Sequence, residues 1–426
     1  MRAPTLLSLW LVSTCNSVLA AGFLDDSSLD VLSRNFYLDN RQRTSASKPH
    51  KEEWAQGFIA NFASDFTPGT IGLGVDAHAF VGLKLDGGKG HSGTGLLPVD
   101  SDGRSERNDS SAGGALKLRT SKTTLSVGEM TVETPVFDTS DKRLQPEYAT
   151  GLLLDSHEID DLHWQAGHFT AFKNQDASTS HGDFNGYGAS TRSGAIDFLG
   201  GQFFEGKPLG GALYASQLSD TWRQYYANLH GGPADWLLDG NIYRTEDQGR
   251  AVAGAIANTA YSLAGKYSFA AQSVTLAYQK INGNTPFDFV GGDSIYLANS
   301  IKYADFNGPG ERSWQVRYDL NLATFGVPGL KFMTRYVTGR GIDGTHAPQG
   351  GAYNPFDAGS GEYQPQQGRG GKHWERDIDL HYVVQSGPAK DLSVQLSHVS
   401  HRANAAQAGD DIDRVYVVIE YPLKLR

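Results

Sequence analysis

Alternation with a period of two, repeated along nearly the whole chain, is the feature that most restricts its fold. From Trp314 the sequence reads Trp-Gln-Val-Arg-Tyr-Asp-Leu-Asn-Leu and, after a Gly-Val-Pro-Gly turn, Leu-Lys-Phe-Met-Thr-Arg-Tyr-Val-Thr to Thr338. Trp314, Val316, Tyr318 and Leu320 make one set; Gln315, Arg317, Asp319 and Asn321 make the other. Successive side chains of a strand point to opposite faces, so the two sets occupy the two faces of a β-strand. Eighteen such segments run from 29–38 to 412–423, among them 113–120, 327–338 and 375–385, with hardly a helical period between them. The pattern predicts an all-β fold: a transmembrane antiparallel β-barrel of about 18 strands. A weaker segment at 184–191 is read as loop, because bacterial single-chain barrels have even strand numbers.

Two lengths of connection separate the segments. Thr67-Pro68-Gly69-Thr70, Gly206-Lys207-Pro208-Leu209, Gly326-Val327-Pro328-Gly329 and Ser386-Gly387-Pro388 are short Pro/Gly turns. Long connections cover roughly 85–112, 131–147, 173–194, 246–257, 283–312 and 339–374. Short turns on the periplasmic side and long loops outside are the usual asymmetry, with some extracellular loops folded inward to narrow the pore.

Composition fits a barrel with a polar lumen. Hydrophobic residues are 39% of the chain, and the 51 glycines, 19 tyrosines and 20 phenylalanines suit turns and aromatic girdles. The formal charge of 37 − 47 = −10, with dispersed basic residues, excludes a nucleic-acid footprint. Met1 to Ala20 carries Arg2, an apolar run from Leu6 to Val12 and a Val18-Leu19-Ala20 end, the pattern of a signal peptide cleaved after Ala20. The expected organisation is thus residues 1–20 as leader and 21–426 as one barrel domain. Cys15, the sole cysteine, falls in the leader, which excludes disulfides from the mature chain.

Charge on the polar face is the main chemical signal. Lys117 and Arg119, Arg317, and Lys331 and Arg335 alternate with apolar residues. A basic side chain at the lipid midplane costs about 2–4 kcal/mol, so these bases belong to the lumen or to an interface. Asp319, Glu375, Asp377 and Asp379 share that phase, and a wall of mixed sign suits zwitterions better than simple anions. Gly87 to Gly93 and Asp100-Ser101-Asp102-Gly103 are read as solvated loops: the first lacks the Gly-Lys-Ser/Thr of a phosphate loop, the second the terminal Glu of a calcium loop. His157, His163 and His168 show no metal spacing on one strand face, and no nucleophile elbow occurs. No catalytic residue, metal or cofactor is expected.

Several longer stretches carry a family resemblance. They include Gly22 to Asp30, Thr134-Pro135-Val136-Phe137 with Arg143-Leu144-Gln145-Pro146, Arg223-Gln224-Tyr225-Tyr226, Gly291-Gly292-Asp293-Ser294, Asp305 to Gly310 and Tyr382 to Pro388. Together they resemble the OprD-type (Occ) substrate-specific outer-membrane porins. The resemblance implies an 18-stranded barrel in the Gram-negative outer membrane, in contact with its lipid and lipopolysaccharide, monomeric or loosely oligomeric. It implies passive, facilitated diffusion of small carboxylated or zwitterionic solutes, such as amino acids, small peptides and carbapenems, through a narrow charged eyelet. By motif position Arg143 sits in the constricting loop to meet a carboxylate, and Asp293 with Ser294 sits in a second inward loop, Asp293 to meet a cationic end. Lys117, Arg119, Arg317 and Arg335 belong to the basic wall.

The chain departs from the family pattern at its C-terminal side. Gln395 and Ser397 stand where two alternating arginines are common, His381 where a lysine is, and Tyr416 at a basic position. His381 is charged only part of the time near neutral pH. This thinned ladder makes a weakly selective general diffusion porin the alternative. A barrel hydrolase and a plugged adhesin are the readings from other classes.

Overall fold

A computed structural model describes residues 27–43, 50–88, 90–184, 187–188, 192 and 194–424. The expected leader, residues 1–20, lies outside the described residues. Eighteen strands form one closed antiparallel sheet. They are β1 (Ser28–Gln42), β2 (Lys51–Ala63), β3 (Ile71–Asp86), β4 (Asn108–Thr120), β5 (Thr123–Met130) and β6 (Tyr148–Ile159). Then come β7 (Leu162–Lys173), β8 (Ile196–Phe203), β9 (Leu209–Leu218), β10 (Trp222–Gly231), β11 (Trp236–Asp247) and β12 (Ala257–Phe269). The last six are β13 (Gln272–Asn282), β14 (Arg312–Asn321), β15 (Leu330–Asp343), β16 (Arg369–Val383), β17 (Ser393–Ala403) and β18 (Ile412–Lys424). Closure comes from β18 pairing back onto β1, with Arg34 opposite Glu420 and Leu38 opposite Tyr416.

Closure leaves no free sheet edge, so every strand satisfies its backbone groups inside the membrane. The apolar set faces out: Leu116 is 68% exposed and Trp314 56%, values that suit lipid and not water. Aromatic pairs ring both ends of this band. Tyr278 and Trp314 lie 4.6 Å apart toward the long-loop end, and Trp236 and Tyr267 lie 4.8 Å apart toward the other. No helix among the described residues is long and apolar enough to cross a membrane.

Strand number and alternation agree with the expectation; several boundaries do not. β4 begins at Asn108, β15 runs to Asp343 and β16 begins at Arg369, each extending about five residues beyond the alternating segment into what reads as loop. The outer strand ends rise above the bilayer into water, where neither face needs apolar residues, so the period fades before the hydrogen bonding does.

The lumen is largely filled. Loop 131–147 turns inward and carries its own two-strand ribbon, Glu133–Thr134 against Phe137–Asp138. Phe137 is buried among Phe169, Phe172 and Phe184, with ring centroids 5.4, 6.0 and 6.0 Å away. On the other side of the loop Leu144 lies against Gly57 of β2, where a Cβ would meet Leu144 Cγ at 3.1 Å. A glycine there lets the loop approach the wall. Loop 283–311 also turns inward, burying Phe287, Val290 and Leu297 in the same apolar cluster as Phe137.

Candidate functional site

The two inward loops meet in the middle of the barrel and are tied by hydrogen bonds. Asp138 N donates to Ser294 Oγ (2.7 Å), and Tyr296 Oη donates to Asp138 Oδ2 (2.7 Å). Glu147 accepts from its own loop at Ser140 N (2.8 Å) and from the other loop at Gly292 N (2.9 Å). Each loop is also pinned to the wall. Arg34 of β1 donates to both oxygens of Asp141 (2.6 and 2.9 Å), to Arg143 O (2.8 Å) and to Glu420 (2.6 Å). Glu375 of β16, 0% exposed, accepts from Tyr303 N (3.0 Å) and Ala304 N (2.8 Å). Each of these bonds satisfies a buried carboxyl oxygen that would otherwise be left without a partner.

This bracing leaves a recess of about 580 Å³, with Arg34, Lys142, Arg143, Lys302 and Arg335 among its lining residues and Asp141 and Glu420 opposing them. A second recess, also about 580 Å³, shares Asp141, Lys142 and Ser300 with the first but carries Glu133, Asp138 and Asp293. A third, about 540 Å³, lies toward the short turns and holds Arg317, Lys331 and His381 with Asp319 and Asp379. Gln395 lines both the first and the third. The lumen therefore offers a basic side, an adjoining acidic side and a mixed exit.

The expected site residues divide accordingly. Arg143 and Arg335 line the basic recess. Arg143 Nε donates to Thr94 O (3.3 Å) and Nη1 to Lys142 O (2.9 Å), and among the described residues it makes no ion pair. Its charge is thus offered to the lumen. Arg335 is bound to the buried Asp377 (2.6 Å; 0% exposed), and Arg317 to Asp319 (2.7 Å). Asp293 lines the acidic recess and is ion-paired with Lys142. His381 lies in the exit recess beside Lys331, its cross-strand partner.

Three further expected residues lie away from the two loop recesses. Ser294 is 2% exposed, and its hydroxyl is spent on Asp138 and Val290 of the loop junction, so it holds the constriction together without facing a solute. Lys117 and Arg119 sit at the short-turn mouth, over the Phe66 ring at 5.2 and 4.2 Å, with Lys117 paired to Asp76 at 2.5 Å. They belong to the wall at the exit, because they are among the last four residues of β4, beside the turn to β5.

Other groups were invisible to strand phase. Lys302 comes from loop 283–311 and reaches Asp379 (3.2 Å) and Ser397 Oγ (3.4 Å), so it occupies the space beside Gln395, Ser397 and Tyr416. Arg414 stacks 4.7 Å from the Tyr303 ring and donates to Tyr416 Oη (2.8 Å). A loop lysine has no periodicity to reveal it; Arg414 had one, two residues before Tyr416. Pairing of β6 with β7 also assembles Asp155 with His157 and His163, and the loop contact of Glu52 N with His91 O (2.8 Å) brings His91 to His50 and Glu52, groups with cation-ligand spacing that spacing along one strand misses.

One carboxyl of the acidic recess, that of Asp138, is held above its ordinary range. Burial, opposed by the Tyr296 hydrogen bond and reinforced by Asp293 and Glu133, pushes the Asp138 carboxyl up to about 8. A carboxyl whose folded pKa is raised stabilises the folded loop fully below its ordinary value near 4 and loses that contribution as pH rises through about 8. Raising pH across this window adds a negative charge beside Asp293. The cation preference of the current is expected to step up near pH 8, and Asp138→Asn to remove the step; reversal potentials under a salt gradient would show a flat wild-type profile if this is wrong.

Comparison with known proteins gives the following. A family model described as outer membrane porin, OprD family, matches residues 21–425. Porin D of Pseudomonas aeruginosa is 46% identical over 420 residues, covering 95% of this chain and 93% of that protein. The crystal structure of Pseudomonas aeruginosa OprD superposes with a TM-score of 0.81 at 43% identity, covering 95% and 97%. That of Pseudomonas aeruginosa OpdK with vanillate gives 0.83 at 34%, covering 95% and 100%.

Proposed function

The chain belongs to the OprD family of outer-membrane porins, and we propose that its constriction selects small solutes carrying a carboxylate together with a cationic group. It is a substrate-specific channel of the Gram-negative outer membrane, as its relatives are. The observation that carries the finer reading is the pair of adjoining recesses of opposite character, which share Asp141, Lys142 and Ser300. A free amino acid or short peptide presents its carboxylate to Arg143 and Lys302 and its ammonium to Asp293 and Glu133. Movement is passive: charged walls lower the barrier for the matching solute, and binding stays weak enough for release.

Lys302 is the residue that adapts this wall to its missing arginines. It supplies a cation from the loop where Gln395, Ser397 and Tyr416 supply none from the strands. Lys302→Met is expected to slow entry of carboxylated amino acids several-fold in liposome swelling while leaving glucose unchanged. A variant that swells like the wild type in both solutes would remove Lys302 from the solute path.

One observation favours the weakly selective alternative. Arg335, Arg317, Lys117 and Lys142 are each already paired with a carboxylate. A wall neutralised in this way steers anions weakly. The liposome assay separates the readings, since a general porin passes arginine, glutamate and glucose in order of size alone.

A further inference from the structure

Four cations stand directly opposite one another at the long-loop rim. Lys280 of β13 faces Arg312 of β14, Arg312 faces Arg340 of β15, and Arg340 faces Lys372 of β16. They continue the outward set: Arg312 has the phase of Trp314 and Val316, which are exposed on the lipid side, and Arg340 has the phase of Tyr336. At the spacing of neighbouring strands the row spans roughly 15 Å. Like charges directly opposite in a sheet destabilise it.

Several other rim cations are neutralised. Arg244 meets Glu246 (2.8 Å), Arg250 meets Asp220 (2.8 Å), Arg369 meets Asp343 (3.2 Å) and Arg402 meets Asp413 (2.9 Å). Among the described residues no carboxylate pairs with any member of the row; Lys280 Nζ donates to Gly310 O (2.6 Å). Immediately below lie the aromatic rings of Tyr278, Trp314 and Trp374, level with Thr338 of β15, and Tyr336 lies one step deeper. Below those are the exposed aliphatic Leu276 and Val316. On β13 and β14 the order from rim to midplane is cation, aromatic ring, hydrocarbon, which matches phosphate headgroup, interface and acyl chain; on β16 the exposed Arg376 adds a second cation below Trp374.

We propose that this face of the barrel is a binding site for the phosphorylated glycolipid of the outer leaflet, lipopolysaccharide. Its sugar phosphates bridge Lys280, Arg312, Arg340 and Lys372, relieving their mutual repulsion, and its acyl chains lie along Leu276 and Val316. The site is on the lipid side of the wall and independent of the lumen.

The test uses the full chain in detergent with bisphosphorylated lipid A as probe, read by native mass spectrometry. Wild type and the Arg244→Gln control hold the lipid equally, and the double variant Arg312→Gln with Arg340→Gln holds it about tenfold more weakly or worse. The double variant's single-channel conductance stays at the wild-type value, since the row faces lipid. If it does not fold, Lys372→Gln at the end of the row shows a smaller loss in the same assay. Equal retention by wild type and variant overturns the proposal. So does equal retention of dephosphorylated lipid A, or displacement of the lipid by inorganic phosphate at the same concentration.

Discussion

Replacing Glu375 by alanine is expected to raise single-channel conductance and abolish solute discrimination. The carboxylate is buried on β16 and holds the backbone N–H groups of Tyr303 and Ala304 at 3.0 and 2.8 Å. A buried hydrogen bond contributes about 0.5–1.5 kcal/mol, so the substitution removes roughly 1–3 kcal/mol of anchoring from residues 300–305. The same loop remains fastened upstream, where Asn299 N donates to Gln279 Oε1 (2.8 Å) and Gln315 Nε2 donates to Ala298 O (2.8 Å). The barrel therefore stays folded while the segment bearing Lys302 leaves the basic recess. Glu375→Gln keeps an acceptor for these N–H groups and should fall between the two. Wild-type conductance in Glu375→Ala would show that the loop is held in place by other contacts.

Arg143→Ala is expected to reduce uptake of carboxylated solutes about ten- to a hundredfold without a matching loss for a neutral sugar. The guanidinium spends N–H groups on Thr94 O and Lys142 O, and its remaining donors face the recess. Losing a charge-assisted contact of about 1.5–3 kcal/mol in the basic recess would produce a loss of that order. Arg143→Lys restores the charge without the planar fork and should recover part of the rate. Equal losses for glutamate and glucose would mean that the substitution deforms loop 131–147 and that Arg143 meets no carboxylate.

The barrel was legible because lipid and lumen impose opposite demands on adjacent residues. Trp314, Val316, Leu116 and Leu118 on one side and Arg317, Asp319, Lys117 and Arg119 on the other follow from that demand at every strand. The constriction was legible only in part. Loops 131–147 and 283–311 have no period, and their inward course depends on long-range contacts such as Arg34 with Asp141 and Glu375 with Tyr303 N, between residues far apart in the chain. Strand phase placed Glu375, Asp377 and Asp379 on the lumen side but could not distinguish a solute-facing acid from one pinning a loop. For the same reason Ser294 read as a solute contact and proved to be a loop tie. Lys302 escaped because nothing in Ile301-Lys302-Tyr303 marks which way it points.

The row of rim cations shows the reverse case. Lys280, Arg312, Arg340 and Lys372 lie on four different strands, and only the register of the closed sheet places them side by side. Sequence spacing alone carries no trace of that proximity.

Selection of solutes bearing a carboxylate and a cation, by recesses of opposite character, is tested by single-channel recording in a planar bilayer under a salt gradient, with arginine, glutamate, benzoate and glucose added in turn. The expected result is a small conductance that arginine interrupts more strongly than benzoate, with no effect of glucose and with the interruptions lost in Arg143→Ala. A large conductance indifferent to all four solutes would contradict it and leave a general diffusion pore.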